Sequence, residues 1–375
     1  MIPFNRPYMT GRELDYIREA VDSGKISGDG IFTRKCHAWL EQRLEGGRSF
    51  LTSSCTDALE AAALLCDLQP GDEVIMPSYT FVSTANAFIL RGARIRFVDS
   101  CADHPNMNVD LIEGLITNRT RAIVPVHYAG MACDMERIAG IANRYGLCVI
   151  EDAAQAIGSY YRGRALGTFG NMAAFSFHET KNIISGEGGA LHINDLKLVK
   201  RTEIVREKGT NRSSFFRGEV DKYGWVDIGS SYLPSDITAA FLYAQLEACD
   251  AIQARRLEIW EGYRERLDDI EAAGDLMLPR IPDYATNNGH MFYLVCPSLD
   301  VRAKLIARLR DAGIMAVFHY QSLHDSQYYA LKHDGRILPN ADRYTDCLLR
   351  LPLYYQLSDS QVERVSNVVR AFFRR

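Results

Sequence analysis

Between residues 49 and 193, short apolar runs alternate with segments whose apolar residues recur at helical spacing. The runs 49–52, 73–76, 95–98, 122–126, 147–151, 173–177 and 189–193 are mostly bounded by Gly, Pro or Asp and are predicted as strands. Helical patterns lie between the first five, for example over 58–65 and 135–145. Such an alternation predicts parallel βα units with both faces of the sheet covered. The last two runs stand too close together for a long helix, so that part of the sheet is expected to be mixed. The fold class is therefore α/β, and ligands in such sheets collect at the carboxyl ends of the strands.

Outside this region the periodicity changes. Residues 8–45 read as helical, broken by the Gly/Ser/Asp stretch 23–30. Thr10 followed by Glu13 fits a capping box. The break is read either as a connector or as a loop that covers substrate. A helix is predicted over 196–208, then a polar and aromatic loop over 209–231 with Arg212, Phe215, Phe216, Arg217, Tyr223 and Trp225. A loop of that length is functional or disordered, and its aromatic content favours an ordered surface that meets substrate or another subunit. One long helix is expected from 234 to 266, with an apolar stripe through Ile237, Ala240, Tyr243 and Leu246. From about 275 the pattern predicts a smaller α+β lobe, with strands near 291–295 and 314–318 and a closing helix over 360–373. We divide the chain into a large domain, 1–250, and a small C-terminal domain, 251–375.

Composition narrows the function. A net charge of −4 gives no reason to expect nucleic acid as a partner. The chain has no run of 18 apolar residues, so no membrane helix is expected, and residues 1–7 lack the apolar core of a signal peptide. The nine cysteines are scattered with no CxxC spacing. They are read as reduced thiols of a cytoplasmic protein, mostly filling the core, and no metal site is expected.

Four places carry candidate chemistry. Lys181 lies in the turn region between the last two predicted strands, and the glycines at 186, 188 and 189 let backbone come close to itself or to a ligand. Asp152 directly follows the apolar run 147–151. A lysine on a loop and an aspartate at the end of a buried strand are the two protein groups that a pyridoxal-phosphate enzyme needs. Lys181 would hold the cofactor aldehyde as a Schiff base and, once freed, carry the proton, which requires an amine of lowered pKa. Asp152 would pair with the pyridine nitrogen and Gln155 with the ring hydroxyl; the bland alternative for Asp152 is a helix cap. Ser53, Ser54, Cys55 and Thr56 put hydroxyls and backbone N–H groups at a helix N-terminus, which is a phosphate site or plain capping. Ser176 could add a hydroxyl. Phe81, just past the run 73–76, is the candidate to stack on the ring, with Tyr79 as the alternative and core packing open for both.

Taken together, Pro77-Ser-Tyr-Thr-Phe, Val126-His-Tyr-Ala-Gly, Glu151-Asp-Ala-Ala-Gln, Phe175-Ser-Phe-His-Glu-Thr-Lys, Gly186-Glu-Gly-Gly, Arg206-Glu-Lys-Gly-Thr-Asn-Arg and His319-Tyr resemble the DegT-type nucleotide-sugar aminotransferases. That family is a branch of the fold-type I pyridoxal-phosphate transferases. The likeness covers essentially the whole chain. It implies an aspartate-aminotransferase-like fold, a mostly parallel seven-stranded sheet with a smaller C-terminal α+β lobe. Within the family, Thr80-Phe-Val-Ser-Thr-Ala-Asn, Asn211-Arg-Ser-Ser-Phe-Phe-Arg-Gly, Asp227-Ile-Gly-Ser-Ser-Tyr-Leu and Met315-Ala-Val-Phe-His-Tyr are similar to the subgroup that aminates C4 of dTDP-4-keto-6-deoxyglucose. The resemblance implies L-glutamate as amino donor and a homodimer with shared active sites. The loop at Ser230 and Ser231 would reach the partner's cofactor phosphate, although an asparagine is usual near Ser231 and a serine reaches less far. Arg206, Lys208, Arg212 and Arg217 would meet the nucleotide diphosphate, for which guanidinium forks are suited, and His319 and Tyr320 the substrate. C3 amination and a different nucleotide carrier stay open. A sugar 3-dehydratase of related fold is disfavoured by the lysine at 181, where those enzymes resemble the family with a histidine. A non-catalytic regulator is disfavoured by the intact set Asp152, Gln155, Ser176 and Lys181.

Overall fold

A computed structural model describes residues 1–374. The alternating region folds into β1 (Arg48–Thr52), β2 (Glu73–Pro77), β3 (Arg94–Val98), β4 (Thr120–Ile123), β5 (Cys148–Asp152), β6 (Tyr160–Tyr161), β7 (Arg164–Ala165), β8 (Met172–Ser176) and β9 (Gly189–Ile193). Seven of these form one sheet in the order β1-β9-β8-β5-β4-β2-β3. The pairs β2/β3, β2/β4, β4/β5 and β5/β8 are parallel, while β9 runs antiparallel to both β8 and β1. The mixed edge therefore falls where the short spacing before residue 189 placed it. All seven predicted runs are strands, with ends shifted by a few residues. β4 stops at Ile123 rather than 126, because Pro125 has no N–H to continue the ladder. The small β6/β7 hairpin, turned by Arg162 and Gly163 at positive φ, is too short for the hydrophobic pattern to reveal.

Both faces of the sheet are buried, which explains why its strands read as continuous apolar runs. Successive residues alternate between two cores: Phe50, Val74 and Met76 pack on one side, Leu51 and Ile75 on the other. At roughly 1.5–3 kcal/mol per fully buried large apolar side chain, this double burial holds the site's framework rigid.

Elsewhere the structure revises the sequence expectations. The first helix begins at Glu13, and Thr10 does not form the expected box: its Oγ1 accepts from Arg12 N, while the Glu13 carboxylate accepts from Thr10 N and Gly11 N. The stretch 23–30 is exposed over residues 23–27 and is tied down by Asp236 N donating to Ile26 O and by Asp29 pairing with Arg206. The predicted helix 196–208 is a 3-10 turn, Leu196–Leu198, followed by the helix Val199–Arg206, and the loop after it contains the short helix Arg212–Phe216. The expected helix 234–266 is two, Asp236–Glu247 and Cys249–Ala272, which break at Ala248 without a proline or glycine to mark the place. The second helix crosses position 250, where we divided the chain. In the small lobe β10 (Phe292–Val295), β11 (Val317–Phe318) and β12 (Leu348–Leu351) form an antiparallel sheet with β12 in the middle. The first residues of the chain join this lobe, since Ile2 pairs with Ile314 and packs in its core.

Candidate active site

The carboxyl ends of β1, β2, β5 and β8, the start of the reversed β9 and the small-lobe sheet enclose a cavity of about 910 Å³. It is the place the strand pattern predicts for a ligand. Of the residues singled out from sequence, Cys55, Thr56, Phe81, Asp152, Gln155, Ser176, Lys181, His319 and Tyr320 line it together. Ser231, Arg206, Lys208, Arg212 and Arg217 do not.

The phosphate candidate sits where β1 turns into the helix Cys55–Leu65. Ser54 caps this helix by accepting from Asp57 N, and Ala58 N makes the first helical bond to Ser54 O. That leaves the N–H groups of Cys55 and Thr56 outside the helix's own bonding. Thr56 Oγ1 donates to Ser83 Oγ at 2.9 Å. The turn can lie here only because residue 189 is glycine: a Cβ there would stand 2.4 Å from Ser54 C and 2.5 Å from Cys55 N.

Asp152 ends β5 and is buried at 5% exposure. One oxygen accepts from Thr84 Oγ1 at 2.6 Å and the other from Ala154 N at 3.2 Å. It forms no ion pair among the described residues. A carboxylate buried without a cation is costly, and a protonated ring nitrogen would supply the missing charge. Gln155 accepts from Ala129 N at 2.6 Å and donates to Tyr320 Oη at 3.0 Å. Tyr320 has a positive φ of 28°, and its ring stacks on His319 with centroids 3.5 Å apart. Tyr128 Oη meets His319 Nδ1 at 2.7 Å. Phe81 is 53% exposed at the rim, its ring 5.9 Å from that of Tyr320. Tyr79 is instead a core residue, donating to His319 O.

Lys181 is set in its turn by its own N–H donating to His178 O and by its neighbour Asn182, whose amide donates to Gln253 Oε1 and Asn288 O. Burial lowers the Lys181 amine below the ordinary lysine value; Cys55 and Asp152 work to raise it and Arg350 lowers it further. An amine of lowered pKa, a buried unpaired carboxylate and an open helix N-terminus around one cavity match the aldehyde, ring nitrogen and phosphate of pyridoxal phosphate.

The remaining predicted residues lie elsewhere. Arg206 is buried, with Nε donating to Leu51 O and Nη2 to Asp29 at 2.6 Å, so its fork is spent on the 23–30 connector. Arg217 is held by Glu203 and Glu219. Lys208 is exposed, and Arg212 lies over the Phe216 ring, 5.1 Å from its centroid. Ser231 is exposed on the outer loop and bridges to Glu207.

Several cavity residues escaped the sequence reading. Thr84 holds Asp152, and its place one helical turn after Thr80 was the available signal. Arg350 was the other, a charge inside the apolar run 347–353. Its Nε is buried without a partner, and its guanidinium forms no hydrogen bond or ion pair among the described residues. The Phe4 ring covers it at 4.6 Å. His290 lines the cavity too; Asn182 donates elsewhere through its NH₂, so its oxygen accepts from His290 Nδ1–H at 2.8 Å.

The sequence matches the DegT/DnrJ/EryC1/StrS aminotransferase family over residues 7–370, and the chain belongs to that family. Solved relatives agree over their full length. The aminotransferase TlmJ from Streptoalloteichus hindustanus is 32% identical with a TM-score of 0.91, covering 99% of this chain and 98% of its own. DesV from S. venezuelae, solved in complex with a ketimine intermediate, is 31% identical with a TM-score of 0.90, covering 100% and 99%. The sugar aminotransferase CalS13 from Micromonospora echinospora is 27% identical with a TM-score of 0.89, covering 99% and 100%. The protein is thus a fold-type I enzyme, a pyridoxal-phosphate-dependent aminotransferase of the sugar-modifying kind. No described helix is long and apolar enough to cross a membrane.

Proposed function

We propose that the chain transfers an amino group from L-glutamate to the C4 ketone of dTDP-4-keto-6-deoxy-D-glucose, giving dTDP-4-amino-4,6-dideoxygalactose. The supporting observation is that two of the stretches similar to the C4-aminating subgroup, those beginning at Thr80 and Met315, contribute Thr80, Phe81, His319 and Tyr320 to one cavity with Lys181.

Pyridoxal phosphate, when bound, supplies an aldehyde that accepts the amino group and a ring that draws electrons from the substrate carbon. The rest is done by this chain. Cys55 and Thr56 N–H, Thr56 Oγ1 and Ser176 Oγ would hold the phosphate. Asp152, fixed by Thr84, would keep the ring nitrogen protonated, and Phe81 would cover one ring face. Lys181 would anchor the cofactor at rest and, once released, move the proton, helped by burial that lowers its amine below the ordinary lysine value. Arg350 offers its unpaired guanidinium to the α-carboxylate of the amino donor. A single guanidinium matches a single carboxylate, and a diphosphate stands a hexose ring away from the reacting C4.

Two chains would share each site. Ser231, exposed on the outer loop and outside its own cavity's lining, would reach a partner's phosphate, and Lys208 and Arg212 on the same loop would meet the nucleotide.

The test is a spectrum of the purified holoenzyme before and after glutamate, with 2-oxoglutarate measured as product. Recovery of the starting spectrum on adding the dTDP-keto sugar, and an NMR spectrum placing nitrogen at C4, is the expected result. Nitrogen at C3, or recovery only with a UDP- or GDP-linked sugar, would overturn the substrate assignment.

A further inference from the structure

Two thiols at the far end of the sheet from the cavity meet each other. Cys66 caps the C-terminus of the helix Cys55–Leu65, and Cys148 is the first residue of β5. Their Sγ atoms lie 3.3 Å apart, and both residues are only half-buried. No other pair of the nine cysteines is in such contact among the described residues. Cys36, Cys101 and Cys133 turn their Sγ atoms to the carbonyls of Ala239, Met107 and Val126. Cys249, Cys296 and Cys347 are buried, and Cys55 faces the cavity.

We propose that Cys66 and Cys148 are a redox-active pair that closes to a disulfide. A disulfide needs its sulfurs at about 2.05 Å, so the gap to close is about 1.3 Å. Both residues sit at element ends, where side-chain rotation and a small backbone shift can supply it. Asp67, directly after Cys66, already leaves the helix at a φ of 52°. The oxidant is a hydroperoxide. One thiol loses its proton and its sulfur takes the terminal peroxide oxygen, releasing an alcohol or water. The second sulfur then displaces that oxygen as water and forms the S–S bond. Two thiols and one hydroperoxide thus give one disulfide, one alcohol (or water) and one further water. The hydrogen bond to Cys148 and burial hold the Cys66 thiol well above its ordinary value, which makes the reaction slow rather than absent.

The bond would tie together the two elements that carry the cofactor's contacts at their opposite ends. The same helix opens with Cys55 and Thr56, and the same strand closes with Asp152. A helix of 11 residues spans roughly 16 Å, so the staple is remote from the cavity. It would stabilise the sheet without blocking the site.

The holoenzyme is treated with hydrogen peroxide, its thiols are counted in denaturant, and non-reduced peptides are mapped by mass spectrometry. We expect nine thiols to fall to seven, one linked peptide pair containing residues 66 and 148, recovery with dithiothreitol, and a raised melting temperature at unchanged turnover. Cys66→Ser and Cys148→Ser should each abolish the linked peptide; if either fails to fold, the wild-type peptide map decides alone. Nine thiols after treatment, a bond between other cysteines, or sulfinic acid at Cys66 with Cys148 free would overturn the proposal.

Discussion

Replacing Arg350 by methionine isolates the role given to the cavity's unpaired guanidinium. The guanidinium has no hydrogen-bond or ion-pair partner among the described residues to orphan, so the change removes an unpaired charge and leaves an apolar stem of similar length beside Phe4. Taking out an unpaired buried charge should keep or raise the stability of the free protein. If the guanidinium instead holds a donor carboxylate, the loss is one charge-assisted hydrogen-bonded contact, about 1.5–3 kcal/mol. That corresponds to roughly 10- to 150-fold weaker binding of the donor. Stopped-flow spectra of the holoenzyme with increasing glutamate give the apparent Kd and the limiting rate. The Kd should rise by that factor, and the return half-reaction with the keto sugar should change little. Maleate, a dicarboxylate that cannot react, gives a readout independent of turnover: it should raise the melting temperature of the wild type and not of Arg350→Met. A variant whose glutamate Kd stays within twofold of the wild type, or whose sugar half-reaction is the one weakened, refutes the assignment. Arg350 also acts on Lys181, whose amine it pushes down. Its removal should therefore move the amine's pKa up, measurable as the pH dependence of Lys181 methylation in the cofactor-free protein.

Other residues give sharper structural tests. Lys181→Ala should abolish transamination while the melting temperature of the cofactor-free protein stays near that of the wild type; measurable turnover with glutamate would remove the lysine from the mechanism. Gly189→Ala should lose cofactor binding, read by absorbance after dialysis against pyridoxal phosphate, because the added Cβ meets backbone atoms of Ser54 and Cys55 that cannot give way. Glu151 is wholly buried and accepts from Gly167 N, Phe169 N, Gly170 N and His127 Nε2. Burial works to raise its carboxyl, but the hydrogen bond and charge of His127 and those backbone donors hold it below the ordinary glutamate value of 4.5. Its folded pKa is thus depressed, so its contribution to stability is complete above about that value and is lost as pH falls through the lower folded pKa. Glu151→Gln should cost about 2–4 kcal/mol in urea denaturation at pH 7 and flatten the acid side of the stability profile; an unchanged profile would exclude Glu151 from the acid response.

The sheet was legible because its strands are buried on both faces and β9 follows β8 too closely for a helical crossover. The half of the site built at the ends of those strands was legible for the same reason. Once β5 and β8 are located, Asp152 and Ser176 must fall at their carboxyl edge, with Lys181 just beyond. The small lobe was harder. Its middle strand, β12, carries Arg350 between leucines and then meets Pro352, a pattern that is neither alternating nor continuously apolar. Ile2 pairs with Ile314 across most of the chain, a contact that no local period encodes. For the arginines of the region after 200, charge alone does not tell a free guanidinium from a spent one. Arg206 looks like an anion ligand in sequence, yet Asp29 and Leu51 O take its fork. Arg350 looks like a core oddity and is left unpaired in the cavity.

That contrast has a consequence for how one cavity would serve two unlike substrates in turn. The guanidinium groups that line it, Arg256 and Arg350, face a single buried carboxylate, Asp152. Arg256 is partly neutralised by the carbonyls of Gly289, His290 and Leu353, which leaves an excess of positive potential at the reacting end. A donor carboxylate gains from that excess. A sugar nucleotide would not, since its own charge sits on the diphosphate, a hexose ring away from the reacting carbon. The sugar must instead be held at its reacting end by neutral contacts. Those are present: the stacked His319 and Tyr320, and the fixed-tautomer His290, whose Nδ1–H is committed to Asn182 and whose Nε2 is therefore an acceptor. Burial holds both histidines well below their ordinary value, so neither would add charge against the sugar at neutral pH. One charged contact for the acid and a ring of neutral ones for the sugar would allow the same volume to bind each partner without either blocking the other's recognition.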